Sequence, residues 1–248
     1  MNFVDFYDNQ PMIGVVVRYL IKDSEMKKSI GICLLVMVFM PGCKGDATED
    51  ANSQANTANT EYGVWQSLFN GKDLTGWKAS EHKGSFHVED GMIVANGRRS
   101  HLFYVGPVAN HRFKNFEFMA SVKTTPGSNS GIYFHTAYQQ KGWPAKGYES
   151  QVNISHSDPQ KSGGLYDAAK VNPAPAEDNK WYSQHIIVKS KHVTVKIDGK
   201  TVVDYMEPPD VNFKGWPGRR LSSGTFAIQA HDPKSLVYFK DIKVKVLQ

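Results

Sequence analysis

Three short segments of the chain gather side chains capable of proton transfer and polar recognition onto single faces of strands. In residues 147–154 (GYESQVNI), Glu149, Gln151 and Asn153 alternate with Ser150, Val152 and Ile154. In residues 131–135 (GIYFH), Tyr133 and His135 are expected to share a face opposite Ile132 and Phe134. In residues 225–231 (TFAIQAH), Gln229 and His231 stand opposite Phe226, Ile228 and Ala230. A merely solvated face would carry Lys, Glu, Thr and Ser. Amides, imidazoles and phenols instead match the hydroxyls of a sugar, and Trp143, Trp181 and Trp216 offer rings on which a sugar could stack.

The elements that must position these groups are strands. Residues 86–95 (FHVEDGMIVA) and 193–205 (VTVKIDGKTVVDY) each hold two β-rich runs about an Asp-Gly pair, the signature of a tight hairpin whose central residues take positive φ. Phe116, Phe118, Ala120 and Val122 alternate with polar neighbours, giving a strand with one dry face. The C-terminal run LVYFKDIKVKVL alternates as well, with a slip near Asp241 that suits a bulge. No long window keeps a 3.6-residue period, and strands do not alternate with helices. The expected fold is all-β, a jelly-roll sandwich of two antiparallel sheets over residues 62–248.

Ahead of that domain the chain reads as an address. Lys27-Lys28 precede a 12-residue apolar run at residues 29–40, too short to span a bilayer and suited to a signal-peptide core. Pro41-Gly42-Cys43 follows, and MPGC resembles a bacterial lipobox, in which the cysteine becomes the lipidated first residue. An ordinary signal peptide or a short membrane anchor is the alternative. Met26 opens a conventional signal, so residues 1–25 are expected to lie upstream of the true start. Residues 43–61 read as a lipidated Cys43 followed by a tether whose only apolar residue over 44–60 is Ala. The expectation is therefore an exported bacterial lipoprotein on the periplasmic or cell-surface side of a membrane, touching it through the lipid alone. With Cys33 discarded and Cys43 lipidated, no thiol remains for catalysis or metal binding. The 29 basic and 24 acidic residues are scattered, so the chain carries no nucleic-acid footprint.

Several stretches together resemble the DUF1080, or 3-keto-disaccharide hydrolase, domain family common in lipoproteins of Bacteroidetes. They are residues 68–77 (LFNGKDLTGW), 129–132 (NSGI), 147–151 (GYESQ), 163–166 (GGLY), Trp181, 228–231 (IQAH) and 237–242 (VYFKDI). The resemblance runs from about residue 64 to the end. It implies a concanavalin A-like fold and cleavage of 3-keto glycosides, by hydrolysis or by C1–C2 elimination followed by hydration. A sugar 3-oxidoreductase is the implied partner that makes the ketone. Two positions depart from the pattern: His135 stands where many members have Arg, and residues 152–156 (VNISH) replace a segment that usually holds an aspartate.

Retaining hydrolysis of an ordinary glycoside needs two carboxyl groups about 5 Å apart. The strand here offers Glu149 followed on the same face by Gln151, which is neither nucleophile nor acid, so Asp158 or Asp167 would have to enter from a loop. A 3-keto sugar relaxes the demand, because the ketone acidifies the C2 proton and one base plus enolate stabilisation suffices. Glu149, His135 and His231 are the candidate acids and bases. The same three could instead ligate a divalent metal that polarises the ketone; no other cofactor is implied. Tyr133, Trp143, Gln151, Asn153, Tyr166, Lys170 and Gln229 are the candidate substrate-binding residues, with His156 beside Lys170 in a loop. A non-catalytic, surface glycan-binding module is the competing reading, since jelly rolls bind sugars with the same side chains.

Overall fold

A computed structural model describes residues 61–248; the signal segment, Cys43 and the tether up to residue 60 lie outside the described residues. Thirteen strands follow in chain order: β1 (Trp65–Ser67), β2 (Trp77–Ala79), β3 (Phe86–Glu89), β4 (Met92–Asn96), β5 (Ser100–Tyr104), β6 (Asn115–Thr124) and β7 (Asn129–Thr136). They continue with β8 (Tyr148–Asn153), β9 (Tyr182–Lys189), β10 (His192–Ile197), β11 (Lys200–Met206), β12 (Thr225–Ala230) and β13 (Leu236–Leu247). Two short 3₁₀ turns are the only helical elements among the described residues. Strands β11-β10-β9-β6-β13-β4-β3 form the larger sheet, with β1 paired to β13, and β2-β5-β12-β7-β8 form the smaller one. All of these strand pairings are antiparallel, as the period-two pattern requires. This is the two-sheet jelly-roll sandwich that the alternation predicts.

Both Asp-Gly hairpins form. Asp90 and Gly91 take φ of 47° and 75°, and Asp198 and Gly199 take 48° and 78°, so each pair supplies the double left-handed turn between β3 and β4 and between β10 and β11. The slip near Asp241 is also present: the β13–β6 register shifts between Lys240 and Lys243, and Asp241 has φ 52°. Alternation then fills the interior. Phe116, Phe118, Ala120 and Val122 of β6 are fully buried, and Phe226 of β12 reaches across from the other sheet to Phe118 at 4.6 Å and Phe116 at 4.9 Å between ring centroids. Truncating such a ring in a close-packed core costs about 3–5 kcal/mol.

One bulge overturns an expectation. Between β7 and β12, Thr136 pairs with Thr225 while Tyr133 pairs with Ala227, so β7 carries one extra residue. His135 absorbs it with φ 56° and no longer shares the face of Tyr133. Its ring is buried beside Phe116, with Nε2 at 2.9 Å from the Lys114 carbonyl and Nδ1 accepting the Ser222 amide at 3.1 Å. Burial lowers its pKa to about 4, so it is a neutral strut between two loops.

Candidate active site

The outward face of the smaller sheet carries the chemistry in transverse rows, because directly paired residues of antiparallel strands point the same way. One row holds Gln229 opposite His101 and Gly131 opposite Gln151. The next holds Phe103 opposite Ala227, and Tyr133 opposite both Ala227 and Glu149. Asn129 pairs with Asn153 beyond them. Loops cover this face and leave a cavity of about 380 Å³, the size of a small-ligand site. Glu149, Tyr133, Gln151 and Gln229 line its floor; Trp143, Tyr166, Trp216, Arg219 and His231 stand among its walls.

Glu149 sits at the bottom of the cavity, 7% exposed. Tyr133 donates its hydroxyl to Oε2 at 2.8 Å, and Gln229 Nε2 donates to Oε1 at 3.0 Å and to the Tyr133 oxygen at 3.0 Å. Burial pushes the carboxyl pKa up; these two hydrogen bonds and the Arg219 charge pull it back, Asp158 adds to the rise, and it settles at about 7. Gly131 makes room for this group. A Cβ there would lie 2.1 Å from Oε1 and 2.8 Å from Cδ of Glu149, so the carboxylate crosses the strand only because residue 131 has no side chain.

His231 occupies the rim. Its Nδ1 lies 2.8 Å from Asp232 Oδ2, so the proton sits on Nδ1 and the Nε2 lone pair is left free. Burial opposes the Asp232 charge, yet hydrogen bonds from His231, Ser235 and the Lys234 amide outweigh it and hold the carboxyl at about 2. His156 packs edge-on to the His231 ring at 5.5 Å. Among the described residues, His156, His231 and Asp232 form the one group of three side-chain donors close enough to share an ion. The hydrogen bonding of that group does not fit a metal. His156 Nδ1 already accepts the Asp158 amide at 3.0 Å, which places its proton on Nε2, and Asp232 Oδ2 is shared by His231 and Ser235. The expected set of His135, Glu149 and His231 does not converge, because the β7 bulge carries His135 away.

The remaining candidates divide. Tyr133, Trp143, Gln151, Tyr166 and Gln229 line the cavity; Asn153 and Lys170 do not. Asn153 is fully buried and spends its amide on the carbonyls of Asp158 and Gln160, at 3.0 and 2.8 Å, closing the loop that follows β8. Lys170 is exposed on an adjoining hollow that shares Asp158, Tyr166 and Asp167 with the main cavity. Trp181 lies on the opposite sheet under Lys123 and Lys240, where it cannot stack on a ligand in the cavity. Trp216 does line the cavity, in a segment that strand patterning does not describe. That segment also brings Arg219, the only Lys or Arg in the lining, stacked on Tyr166 and Trp216 and paired with Asp167. Its anchor is Glu207, whose buried carboxylate accepts from Tyr148 at 2.9 Å and from the Leu221 amide. Asn129 was also missed, although it lies in the NSGI stretch; it accepts from Gln151 Nε2 at 2.7 Å and so orients that amide.

Comparison with known proteins places the chain among relatives of known description. A curated 3-keto-disaccharide hydrolase of Bacteroides thetaiotaomicron is 25% identical over 226 residues, covering 73% of this chain and 77% of that protein. A solved structure described as a "putative glycosyl hydrolase" of Parabacteroides distasonis is 26% identical with a TM-score of 0.64, covering 74% of this chain and 94% of the other. A second Parabacteroides distasonis structure of the same description, 21% identical, covers 74% of this chain and all of its own with a TM-score of 0.56, which speaks to fold alone. Residues 64–245 match the profile of a domain that spans both sheets and every residue of the cavity floor, so the chain belongs to the 3-keto-alpha-glucoside-1,2-lyase-like domain family.

Proposed function

We propose that this chain cleaves the glycosidic bond of 3-keto glycosides, with Glu149 as the base. The observation that carries the reading is a single buried carboxyl poised near neutrality at the floor of a polar cavity, where a general base is most effective. Asp167 is tied to Arg219, and Asp158 Oδ1 accepts the Gln160 amide of its own loop, so neither stands ready as a second carboxylate for ordinary retaining hydrolysis.

In this mechanism the ionised Glu149 removes the C2 proton, and the C2–H electron pair moves into the C3 carbonyl to give an enolate. Arg219 supplies positive charge to the cavity as that oxyanion forms. Collapse of the enolate restores the ketone, makes the C1–C2 double bond and breaks the bond from C1 to the leaving oxygen. That oxygen takes the proton now on Glu149, which returns the carboxylate to its ionised form, while the His231 ring, fixed by Asp232, offers its free Nε2 lone pair to a substrate hydroxyl. Addition of water across the double bond would then give the free keto sugar. Tyr133, Gln151 and Gln229 orient hydroxyls, while Trp143, Tyr166 and Trp216 supply ring surfaces.

The substrate must be made by a sugar 3-oxidoreductase, which supplies the ketone. We also propose that Cys43 is lipidated after export, which mass spectrometry of the mature N-terminus would test. The catalytic reading is tested by offering the full-length protein matched 3-keto and unoxidised glucosides. Release of the aglycone from the keto substrate alone, with an unsaturated ketone or its hydrate as co-product, is expected. Binding of unmodified glycans with no product from any keto glycoside would support the glycan-binding module instead.

A further inference from the structure

The outward face of the larger sheet is built differently from the cavity side. Alternation buries Phe116, Phe118, Val237, Phe239 and Val244 in the core and turns the residues between them outward. Those outward residues include Lys123 on β6 and Lys240, Lys243 and Lys245 on β13. The bulge at Asp241 keeps Lys240 and Lys243 on one face, since they pair with Ser121 and Met119 of β6. Each ammonium group stacks on a ring. Lys123 Nζ lies 5.1 Å from the Trp181 centroid and 4.5 Å from that of Tyr238, and Lys240 Nζ lies 4.4 Å from Trp181. Lys243 and Lys245 lie 5.2 and 4.7 Å from the Trp65 ring. From Tyr238 to Lys245 the strip runs about 20 Å along β13.

Stacking on a ring holds an ammonium in place without neutralising it. Among the described residues, Lys123, Lys240 and Lys243 have no carboxylate partner, while Lys245 pairs with Glu117. Glu117 is shared with His185, and Asp241, the other acid of the strip, accepts from Ser121. Glu89 and Asp204 stand at the edges of the sheet beside His87 and His192. The strip is therefore cationic and aromatic at once. The chain also enters the domain here: Tyr62 bridges to Val246, and Trp65 of β1 pairs with Lys245. Tyr62 and Val64, just ahead of Trp65, are both more than half exposed.

Residues 44–61 span at most about 60 Å even when fully extended, which bounds the distance from Cys43, proposed above as the lipidated residue. A domain held that close meets the leaflet at high effective concentration, so a weak patch suffices to orient it. Clustered lysines attract anionic headgroups, and Trp and Tyr rings suit the headgroup level of a bilayer. We propose that the outward face of the larger sheet docks on an anionic phospholipid leaflet, through the lysines of this strip and the rings of Trp65 and Trp181. Docking in that way turns the cavity on the smaller sheet toward solution. The proposal uses the anchor for proximity alone and does not depend on the catalytic reading.

The test is flotation of the full-length protein on phosphatidylcholine vesicles with and without about one-third phosphatidylglycerol. The readout is the ratio of the two partition constants, in which apolar insertion of the N-terminal segment cancels. Each lysine near an anionic leaflet strengthens binding roughly fivefold, so at low salt the wild type should favour the anionic vesicles by about 100-fold. In the combined variant Lys123→Gln, Lys240→Gln, Lys243→Gln the ratio should fall at least about tenfold. Lys78 on β2 and Lys141 and Lys146 in the loop between β7 and β8 are exposed on the other side. Changing those three to Gln removes the same charge and should leave the ratio within about twofold. Amine-reactive labelling of the wild type needs no variant: anionic vesicles should protect Lys123, Lys240 and Lys243 but not Lys78 or Lys146. An equal fall in both variants, or equal labelling of both sides, overturns the docked face. Protection of the strip by soluble dextran sulfate but not by vesicles would assign it to a soluble polyanion and overturn the proposal as well.

Discussion

Replacing Glu149 with Gln should stabilise the folded protein at alkaline pH, and the size of the effect follows from the burial of the carboxyl. Its pKa is about 7 in the folded protein against an ordinary 4.5. Between those values the native state holds more protons than the unfolded chain, so stability falls as pH rises from about 4.5 to 7 and stays low above that. A gap of roughly 2.5 pH units corresponds to about 3 kcal/mol. Glutamine never ionises and escapes that penalty. It can still accept from Tyr133, and a turned Gln229 amide could present its otherwise unpaired Oε1 to the new NH₂ group. The clean quantity is the difference in unfolding free energy between variant and wild type, from urea titrations at pH 4 and pH 8. That difference should move in favour of the variant by about 3 kcal/mol over this range, seen in melting temperature as roughly 6–12 °C. A difference independent of pH would refute the burial argument, and with it the poised base.

Other perturbations separate the parts of the site. Gly131→Ala should leave a folded sandwich but push the Glu149 carboxylate off its two donors, and a displacement of that size costs turnover at least about 100-fold; circular dichroism and steady-state kinetics check both halves. Tyr133→Phe removes a hydrogen bond to the ionised carboxylate, so the rise of rate with pH, centred near 7 in the wild type, should move up by about 1–2 pH units. His135→Leu breaks the bridge between the Lys114 carbonyl and the Ser222 amide, which should lower stability by about 1–3 kcal/mol in denaturant titrations without altering the pH profile of turnover.

Much of this fold could be read because its local rules agree. The Asp-Gly pairs, the alternation of β6 and the irregularity at Asp241 each follow from backbone conformation alone, and each appears where the residues place it. The cavity floor was legible for the same reason: Glu149, Gln151 and Gln229 face outward because a strand has period two. His135 was misplaced because one inserted residue reverses a face, and nothing in GIYFH announces a bulge. Asn153 kept its predicted face, but its amide is spent on the next loop. Arg219 and Trp216 could not be placed from periodicity, since they arrive on an irregular segment pinned by a buried carboxylate 12 residues upstream of Arg219.

The central claim is that Glu149 takes the proton from C2 of a keto sugar, and deuterium placed at that carbon tests it most directly. With the wild-type protein, loss of deuterium to solvent should accompany aglycone release mole for mole, above the uncatalysed exchange. In a folded Glu149→Gln variant both should cease together. Aglycone release with deuterium retained at C2 of the freed sugar would contradict the account.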